Sequence, residues 1–496
     1  MGNLYSIFKE HNNTANIMLV TENSKISFNT IDHFSSKYAN LLYKLNIRKG
    51  DRVAAQIEKS EHNLFLYFAC LRSGIIFLPL NNTYTLHELN YFFDDAKPKL
   101  VVCDPTKEES IKEIIDTEFS SIKTLDAQGN GSLTEQLKNE SEKHLIIDTN
   151  LDDIAVILYT SGTTGKPKGA MITHQGLLNN TTDLIKAWGI TKDDTILHML
   201  PLFHVHGLFF AINTAFLSGA QTILLPKFDL DLFFHYLNDS TIFMGVPTYY
   251  SRLLKDARLN QETCRNMRLF ISGSAPLLVQ PFDEFKYKTG HTILERYGMT
   301  ETGINTSNPL NGKRKAGTVG LPLSSVNLRI VSNNNTSCAQ NEIGLVEIKG
   351  ANLFKGYWRN QEKTNESFTE DGYFKTGDMG FLDSEGYLTL IGREKDMIIS
   401  GGLNVYPKEI EETLDSLDGV IESAVIGIPH HDYGEAVVAI ISTKKQFNEP
   451  ELLTYIKEKH AGYKCPKKIF FVDDLPKNTM GKVQKNLLRQ QFSNIF

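Results

Sequence analysis

Several things are scarce in this chain of 496 residues, and each shortage narrows what it can be. Its five cysteines, Cys70, Cys103, Cys264, Cys338 and Cys465, form no CxxC pair and no cluster with histidines. Neither a disulfide framework nor zinc is indicated, which fits a reducing compartment, the cytoplasm or an organelle matrix. There is no long basic run and the net charge is -6, which argues against nucleic acid as the main partner. No apolar run suits a membrane span: the least polar stretch, Gly207 to Leu225, is interrupted by Asn213, Ser218 and Gln221 and reads as a buried helix and strand. The start of the chain lacks the charged and apolar regions of a signal peptide. Gly2 and Ser6 match the myristoylation pattern, but without a nearby polybasic segment the match reads as chance. Internal repeats and low-complexity tracts are missing. What remains is an ordinary globular composition, 41% hydrophobic and 22% charged, in a chain long enough for two or more domains.

The richest stretch runs from Tyr159 to Gly169, Tyr-Thr-Ser-Gly-Thr-Thr-Gly-Lys-Pro-Lys-Gly. It follows an apolar run, Ile154 to Tyr159, that reads as a buried strand, and precedes helically spaced apolar residues between Leu177 and Trp188. Strand, glycine-hydroxyl loop, helix is an arrangement that cradles phosphate: glycines let backbone N–H groups approach oxyanions, and hydroxyls and lysines add donors. Thr160, Ser161, Gly162, Thr163, Thr164, Gly165 and Lys166 are the candidate contacts. The spacing is not that of a Walker A loop, because only two residues separate Gly162 from Gly165 and Pro167 follows Lys166.

Elsewhere strand and helix patterns alternate, which predicts an α/β fold with parallel sheets covered by helices. Helices are expected at Ile31 to Leu45 and Leu64 to Leu71, and strands at Asp51 to Ile57 and Lys99 to Cys103. Leu200 to Leu208 carries His204 and His206 in an apolar setting, and Gly245 to Leu254 turns into a helix bearing Arg252. Three strand-to-loop passages follow: Leu269 to Pro276, Ile293 to Thr302, and Tyr373 to Asp378. The second ends in hydroxyls and a carboxylate, chemistry suited to phosphate with Mg²⁺. A boundary falls near Gly392 to Met397, followed by about 100 residues, enough for a small domain. Its expected elements are a helix from Pro407 to Leu417, strands at Ser423 to Ile428 and Ala436 to Ser442, and a helix from Leu452 to Lys459. Pro476 to Lys485, polar and glycine-bearing, reads as a mobile loop.

Together the segments Tyr159–His174, Gly273–Pro276, Tyr297–Thr302, Tyr373–Asp378 and Gly392–Glu411, with the loop around Lys482, resemble the adenylate-forming superfamily of acyl-CoA synthetases, luciferases and peptide-synthetase adenylation domains. The resemblance implies a large N-terminal domain, residues 1–392, that binds nucleotide and acid, and a small mobile C-terminal α+β domain, residues 393–496. It implies a two-step reaction in which a carboxylate attacks the α-phosphorus of ATP, releasing pyrophosphate, and a thiol then displaces AMP. It further implies that Lys482 bridges carboxylate and α-phosphate, Thr300 contacts phosphate and Glu301 holds Mg²⁺. Asp378 would accept from the ribose hydroxyls with Arg393 close by, Gly273, Ser274 and Ala275 would border the adenine, and Tyr297 would stack on it. Lys395 would be the hinge, with the Gly401-Gly402 side facing coenzyme A in the second step.

Within the superfamily, Phe203-His-Val-His-Gly207, Gly245-Val-Pro-Thr-Tyr-Tyr250 with Arg252, and Glu295-Arg-Tyr-Gly-Met-Thr300 are similar to the malonyl-CoA synthetases. A dicarboxylate keeps a second charge at neutral pH, and an arginine gives it a planar, bidentate, permanent partner. Arg252 and Arg296 are therefore the expected partners of the distal carboxylate, with His204 and His206 lining the pocket. The expected substrates are malonate, ATP and coenzyme A, handled by a monomer or homodimer, with methylmalonate left open. The alternatives are another acid, such as oxalate or a short- or medium-chain acid, and an adenylation enzyme that loads a carrier protein.

Overall fold

The computed structural model describes residues 2–160, 167–332, 334–478, 481–493 and 495–496. Among them the strands form four sheets. The largest runs in the order Leu321–Pro322, Gly303–Ser307, Leu294–Met299, Leu269–Ser272, Ile242–Gly245, Thr195–His198, Gln221–Leu224, Ile17–Val20, Lys25–Ser27. Its inner strands are parallel and its outermost pairings antiparallel. A second sheet, Ser121–Thr124, Leu100–Cys103, Arg52–Gln56, Ile76–Pro79, Ile154–Thr160, Lys168–Thr173, is parallel except for its last pair. A third, of Val326–Val331, Gly344–Gly350, Phe374–Leu382 and Leu388–Arg393, is antiparallel throughout. The fourth is built from residues after 397: Leu403–Val405, Ile398–Ser400, Gly434–Thr443 and Val420–His430, with Lys468–Val472 parallel to Gly434–Thr443.

The architecture is thus α/β, a large N-terminal domain of sheets and helices followed by a smaller one. Buried parallel strands explain the near-continuous apolar runs, because both faces are covered by helices. Helix ends follow local chemistry. Ser60 caps Glu61–Ser73 by accepting from the Asn63 N–H, and Thr173 caps His174–Trp188 by accepting from Gly176. Tyr5, Phe8, Phe68 and Phe216 meet at tilted and edge-on angles in the core beneath the first helix. Gly2 is buried, with its N–H donating to the Thr149 carbonyl. Among the described residues no helix is long and apolar enough to cross a membrane.

Two expectations change. The phosphate loop does not run into a helix: Lys168–Thr173 is a strand that pairs antiparallel with Ile154–Thr160, so the loop tops a hairpin and the helix begins only at His174. Ala170 and Ile172 are buried at strand spacing, and the lysine, proline and glycine before them obscure it in the sequence. Asp378 does not end a strand. It lies inside Phe374–Leu382, where a register shift between Met379 and Gly380 bends the chain. Among the described residues of the Lys482 segment, Lys477 is bridged to Val483, a local pairing that leaves the expectation of mobility untouched.

Candidate active site

The parallel strands of the large sheet aim their carboxyl ends at one crevice, where open α/β sheets bind ligands. Thr195–His198 leads to His204 and His206, Ile242–Gly245 to the helix Pro247–Leu254, Leu269–Ser272 to Gly273, and Leu294–Met299 to Thr300 and Glu301.

One wall gathers the nucleotide-type groups. Asp378 and Arg393 are direct cross-strand partners, and the Arg393 Nε sits 2.7 Å from Asp378 Oδ1. The Tyr297 hydroxyl donates to the other Asp378 oxygen. Burial alone would lower the Arg393 pKa, but Asp378, Tyr297, Glu301 and Asp396 outweigh it and raise it. Glu301 is buried. Its Oε1 accepts from the Tyr357 hydroxyl at 3.1 Å and from Thr160 at 3.5 Å. Burial raises its pKa, against the pull of nearby Arg393 and Lys168. A buried carboxylate with no ion-pair partner among the described residues fits a hard divalent cation, which takes oxygen ligands. Thr300 is half-buried in the turn just before it. Ser161, Gly162, Thr163, Thr164, Gly165 and Lys166 lie outside the described residues; the loop's two stems do not. The Tyr91 hydroxyl donates to the Pro167 carbonyl at 2.8 Å, and Tyr159 donates to Asp95 at 2.5 Å.

A second wall gathers around a buried arginine. Arg296 is 4% exposed, and its Nε and one Nη are buried without a hydrogen-bond partner. Its guanidinium lies over the Phe210 ring, 5.2 Å from the centroid. Burial alone pushes its pKa down to about 9, so it stays charged at neutral pH. Gly273 makes the room: a Cβ there would stand 2.4 Å from the guanidinium carbon. Ser274, held at a positive φ of 71°, turns its hydroxyl to 3.3 Å from His206 Nδ1. His204 Nδ1 accepts the His206 backbone N–H at 3.2 Å, which leaves the proton on its outward Nε2. Burial first, then Lys482 and Arg296, push its pKa down to about 3, so this histidine is a neutral donor. His206 is likewise held neutral by burial and by Arg296. Gly273 and Ser274, the residues expected to border adenine, also pack against Arg296 and His206. Ala275 is half-buried in the next position. Arg252 is exposed on its helix, one turn beyond Thr248.

The small domain closes over both walls. A Cβ on Gly481 would meet Thr248 at 3.0 Å, so the turn carrying Lys482 rests on the start of the Pro247–Leu254 helix. Lys482 reaches solvent in the cleft but has protein around it. Loss of bulk water and Arg393 lower its pKa, Asp378 opposes them, Arg296 lowers it further and Glu301 opposes. That set of neighbours sets the lysine between the two walls. Lys395 is exposed in the 3-10 turn Glu394–Asp396, beside Gly392, around which there is open space. Gly401 and Gly402 form the two-residue turn between Ile398–Ser400 and Leu403–Val405, both at positive φ, as such hairpins require. The turn is exposed and its near neighbour is Tyr433 of the same small sheet.

Models for two families match the chain: AMP-binding enzyme over residues 8–358, and AMP-binding enzyme C-terminal domain over residues 409–482. The chain belongs to the AMP-binding enzymes. It is 36% identical to a malonate–CoA ligase of Arabidopsis thaliana, covering 90% of this chain and 79% of that one. It is 33% identical to a long-chain-fatty-acid–CoA ligase of Bacillus subtilis, covering 95% and 91%. Among solved structures, ATP-bound MatB from Rhodopseudomonas palustris is 47% identical, covers 100% of this chain and 99% of its own, and superposes with a TM-score of 0.98. The apo form of that AMP-binding enzyme, at the same identity and coverage, gives 0.86.

Four contributors were not singled out from the sequence. Tyr357 fixes Glu301, and its Gly-Tyr-Trp setting was a readable cue. Tyr91 and Asp95 grip the stems of the phosphate loop from a helix with no motif. Lys59, buried with its pKa lowered by burial, donates to His198 at 2.7 Å; His198 in turn bonds the Gly207 carbonyl at 2.9 Å beneath the histidine pair.

Proposed function

We propose that this AMP-binding enzyme is an ATP-dependent malonate–CoA ligase that works through malonyl-adenylate. The observation that carries the choice of acid is Arg296: a buried guanidinium with donors unused and no carboxylate opposite it. Burying such a charge unpaired costs several kcal/mol, a cost that a bound anion offsets. Arg296, Asp378 and Glu301 all act on Lys482, which supports placing the far end of a short dicarboxylate on Arg296 while its near end meets the α-phosphate. Ser274, His206 and the Nε2–H of His204 supply further donors, and Arg252, exposed on its helix, would add a more distant positive charge.

In this reading the ribose hydroxyls donate to Asp378, Tyr297 borders the adenine, and Thr160 with the 161–166 loop and Thr300 receives the phosphates. Mg²⁺ held by Glu301 supplies charge neutralisation on the triphosphate. Lys482 stands where the incoming carboxylate and the α-phosphate would both present negative charge, so it stabilises them most as they converge. Likeness to the ATP-bound form of MatB supports taking the present arrangement as the one for adenylation. For thioester formation, residues 393–496 would turn about Lys395 and carry Gly401-Gly402 to the coenzyme A side. Exposed Ile399, Leu403 and Tyr433 beside that turn are apolar surface awaiting such a contact. The free, mostly buried cysteines suit a reducing compartment.

The test is pyrophosphate release with malonate, methylmalonate, succinate, oxalate, acetate and octanoate. Malonate should lead, and acetate should trail by about 10⁴-fold in kcat/KM, as expected where a buried polar group loses its partner. Octanoate ahead of malonate would overturn the assignment.

A further inference from the structure

The turn that presents Lys482 is well formed locally. The Asn478 N–H donates to the Lys482 carbonyl at 2.9 Å, the Lys482 N–H to Asn478 Oδ1 at 3.0 Å, and the Gln484 N–H to the Pro476 carbonyl at 2.8 Å. Those bonds fix the shape of the turn and leave open its direction relative to the small domain. Direction comes from two ion pairs, one on each stem. Lys477 Nζ lies 2.6 Å from Glu422 Oε2, and Lys485 Nζ lies 2.6 Å from Glu411 Oε1. Glu422 sits on the strand Val420–His430 and Glu411 on the helix Pro407–Asp415. Glu411 is itself tied to that strand, accepting the Val425 N–H at 2.7 Å. Asp415, one helical turn along, is the third carboxyl of the group, and its Oδ1 is buried without a partner. Burial, with Glu411 and Glu422 nearby, pushes its pKa up to about 7.

We propose that Glu411 and Glu422 are positioning residues: by anchoring the two stems of the turn they aim Lys482 at the crevice. The proposal rests on the role given to Lys482 above. Both pairs are partly exposed, so they add little to stability. Their leverage is geometric, since Lys477 and Lys485 bracket the lysine and a misplacement of about 1 Å at a reacting group costs on the order of 10²-fold in rate.

The test compares half-reactions in the full-length enzyme. In the Glu411→Gln, Glu422→Gln double variant, malonate-dependent pyrophosphate release should fall about 10- to 100-fold. Thioester formation from supplied malonyl-adenylate and coenzyme A should stay within about two-fold, since Lys482 serves only the first step in this reading. Reversing one pair, with Glu422→Lys and Lys477→Glu together, should restore most of the loss measured in Glu422→Lys alone. Adenylation unchanged in the double variant, equal losses in both half-reactions, or no recovery in the reversed pair would each overturn the proposal. Lys482→Ala runs alongside: full adenylation there removes the role of Lys482 itself, and with it the reason for aiming it.

Discussion

Glu295 and Arg296 are consecutive residues of one strand, both almost fully buried, and neither has an ion-pair partner among the described residues. Their side chains leave the strand on opposite faces. Glu295 points toward the Leu277 N–H, 3.2 Å away, and burial pushes its carboxyl up to about 7, so it can lose its charge near neutral pH. Arg296 has no such escape. Its pKa falls only to about 9, so it remains a cation in a wall of neutral histidines and an aromatic ring. Glu295, which can neutralise itself and packs on the Leu277 N–H, needs no partner from outside the chain. Arg296, which cannot, keeps a buried charge with unused donors, the feature on which the proposed acid site rests.

Removing the guanidinium tests that distinction most severely. Arg296→Leu should lower kcat/KM for malonate by about 3–4 kcal/mol, on the order of 10²–10³-fold, the range for truncating one partner of a buried charge pair. Activity with acetate should change far less. Folding should hold or improve, because replacing an unpaired buried charge with an apolar group is neutral or stabilising. A malonate loss matched by an equal acetate loss would make Arg296 a structural residue like its neighbour.

How much of this was readable beforehand differs between fold and site. Lys482, Glu301 and Asp378 were nominated by the resemblance of their ordered motifs to the adenylate-forming superfamily; a lone lysine in a polar loop, or a loop carboxylate, would not have stood out by residue type alone. The hairpin after the phosphate loop was hidden because Lys168-Gly169 looks like loop composition, while strand pairing is decided by distant partners such as Tyr357 and Trp358. The separation of Glu295 from Arg296 was hidden for another reason. In a strand buried on both faces the alternation of polar and apolar residues disappears, so period two no longer tells which face meets the pocket. Gly273 and Ser274 show the same difficulty: a small-residue turn announces close approach, but only the structure shows that Arg296 and His206 are among what approaches.

Arg252 offers the same functional group in water instead of in the core. Exposed charges interact by about 0.2–1 kcal/mol, so Arg252→Gln should raise KM for malonate only about two- to five-fold. Near 1 M salt, where screening acts over about 3 Å, most of that difference should vanish, whereas the Arg296→Leu defect should persist. A salt-resistant loss of Arg296 size at position 252 would mean that the helix Pro247–Leu254 carries its arginine into the pocket.

Glu295→Gln should affect catalysis least, and its signature is in stability. Glutamine keeps an acceptor for the Leu277 N–H, so kcat/KM for malonate should stay within about two-fold, as for a change outside the reacting groups. The folded carboxyl titrates near 7 and an unfolded one near 4.5, so between those values the native state holds the extra proton. Stability contributed by the neutral form is therefore complete below about pH 4.5 and is lost as pH rises toward and past 7. The shift is worth roughly 3 kcal/mol once both states are ionised. Glu295→Gln cannot ionise, so it should match the parent near pH 4.5 and exceed it by about that amount at pH 8 in urea unfolding. Asp415, also raised to about 7, keeps its own slope in both proteins and cancels in the difference. If the two curves run parallel across that window, Glu295 is not a self-neutralising acid, and the contrast with Arg296 would then have to rest on the guanidinium alone.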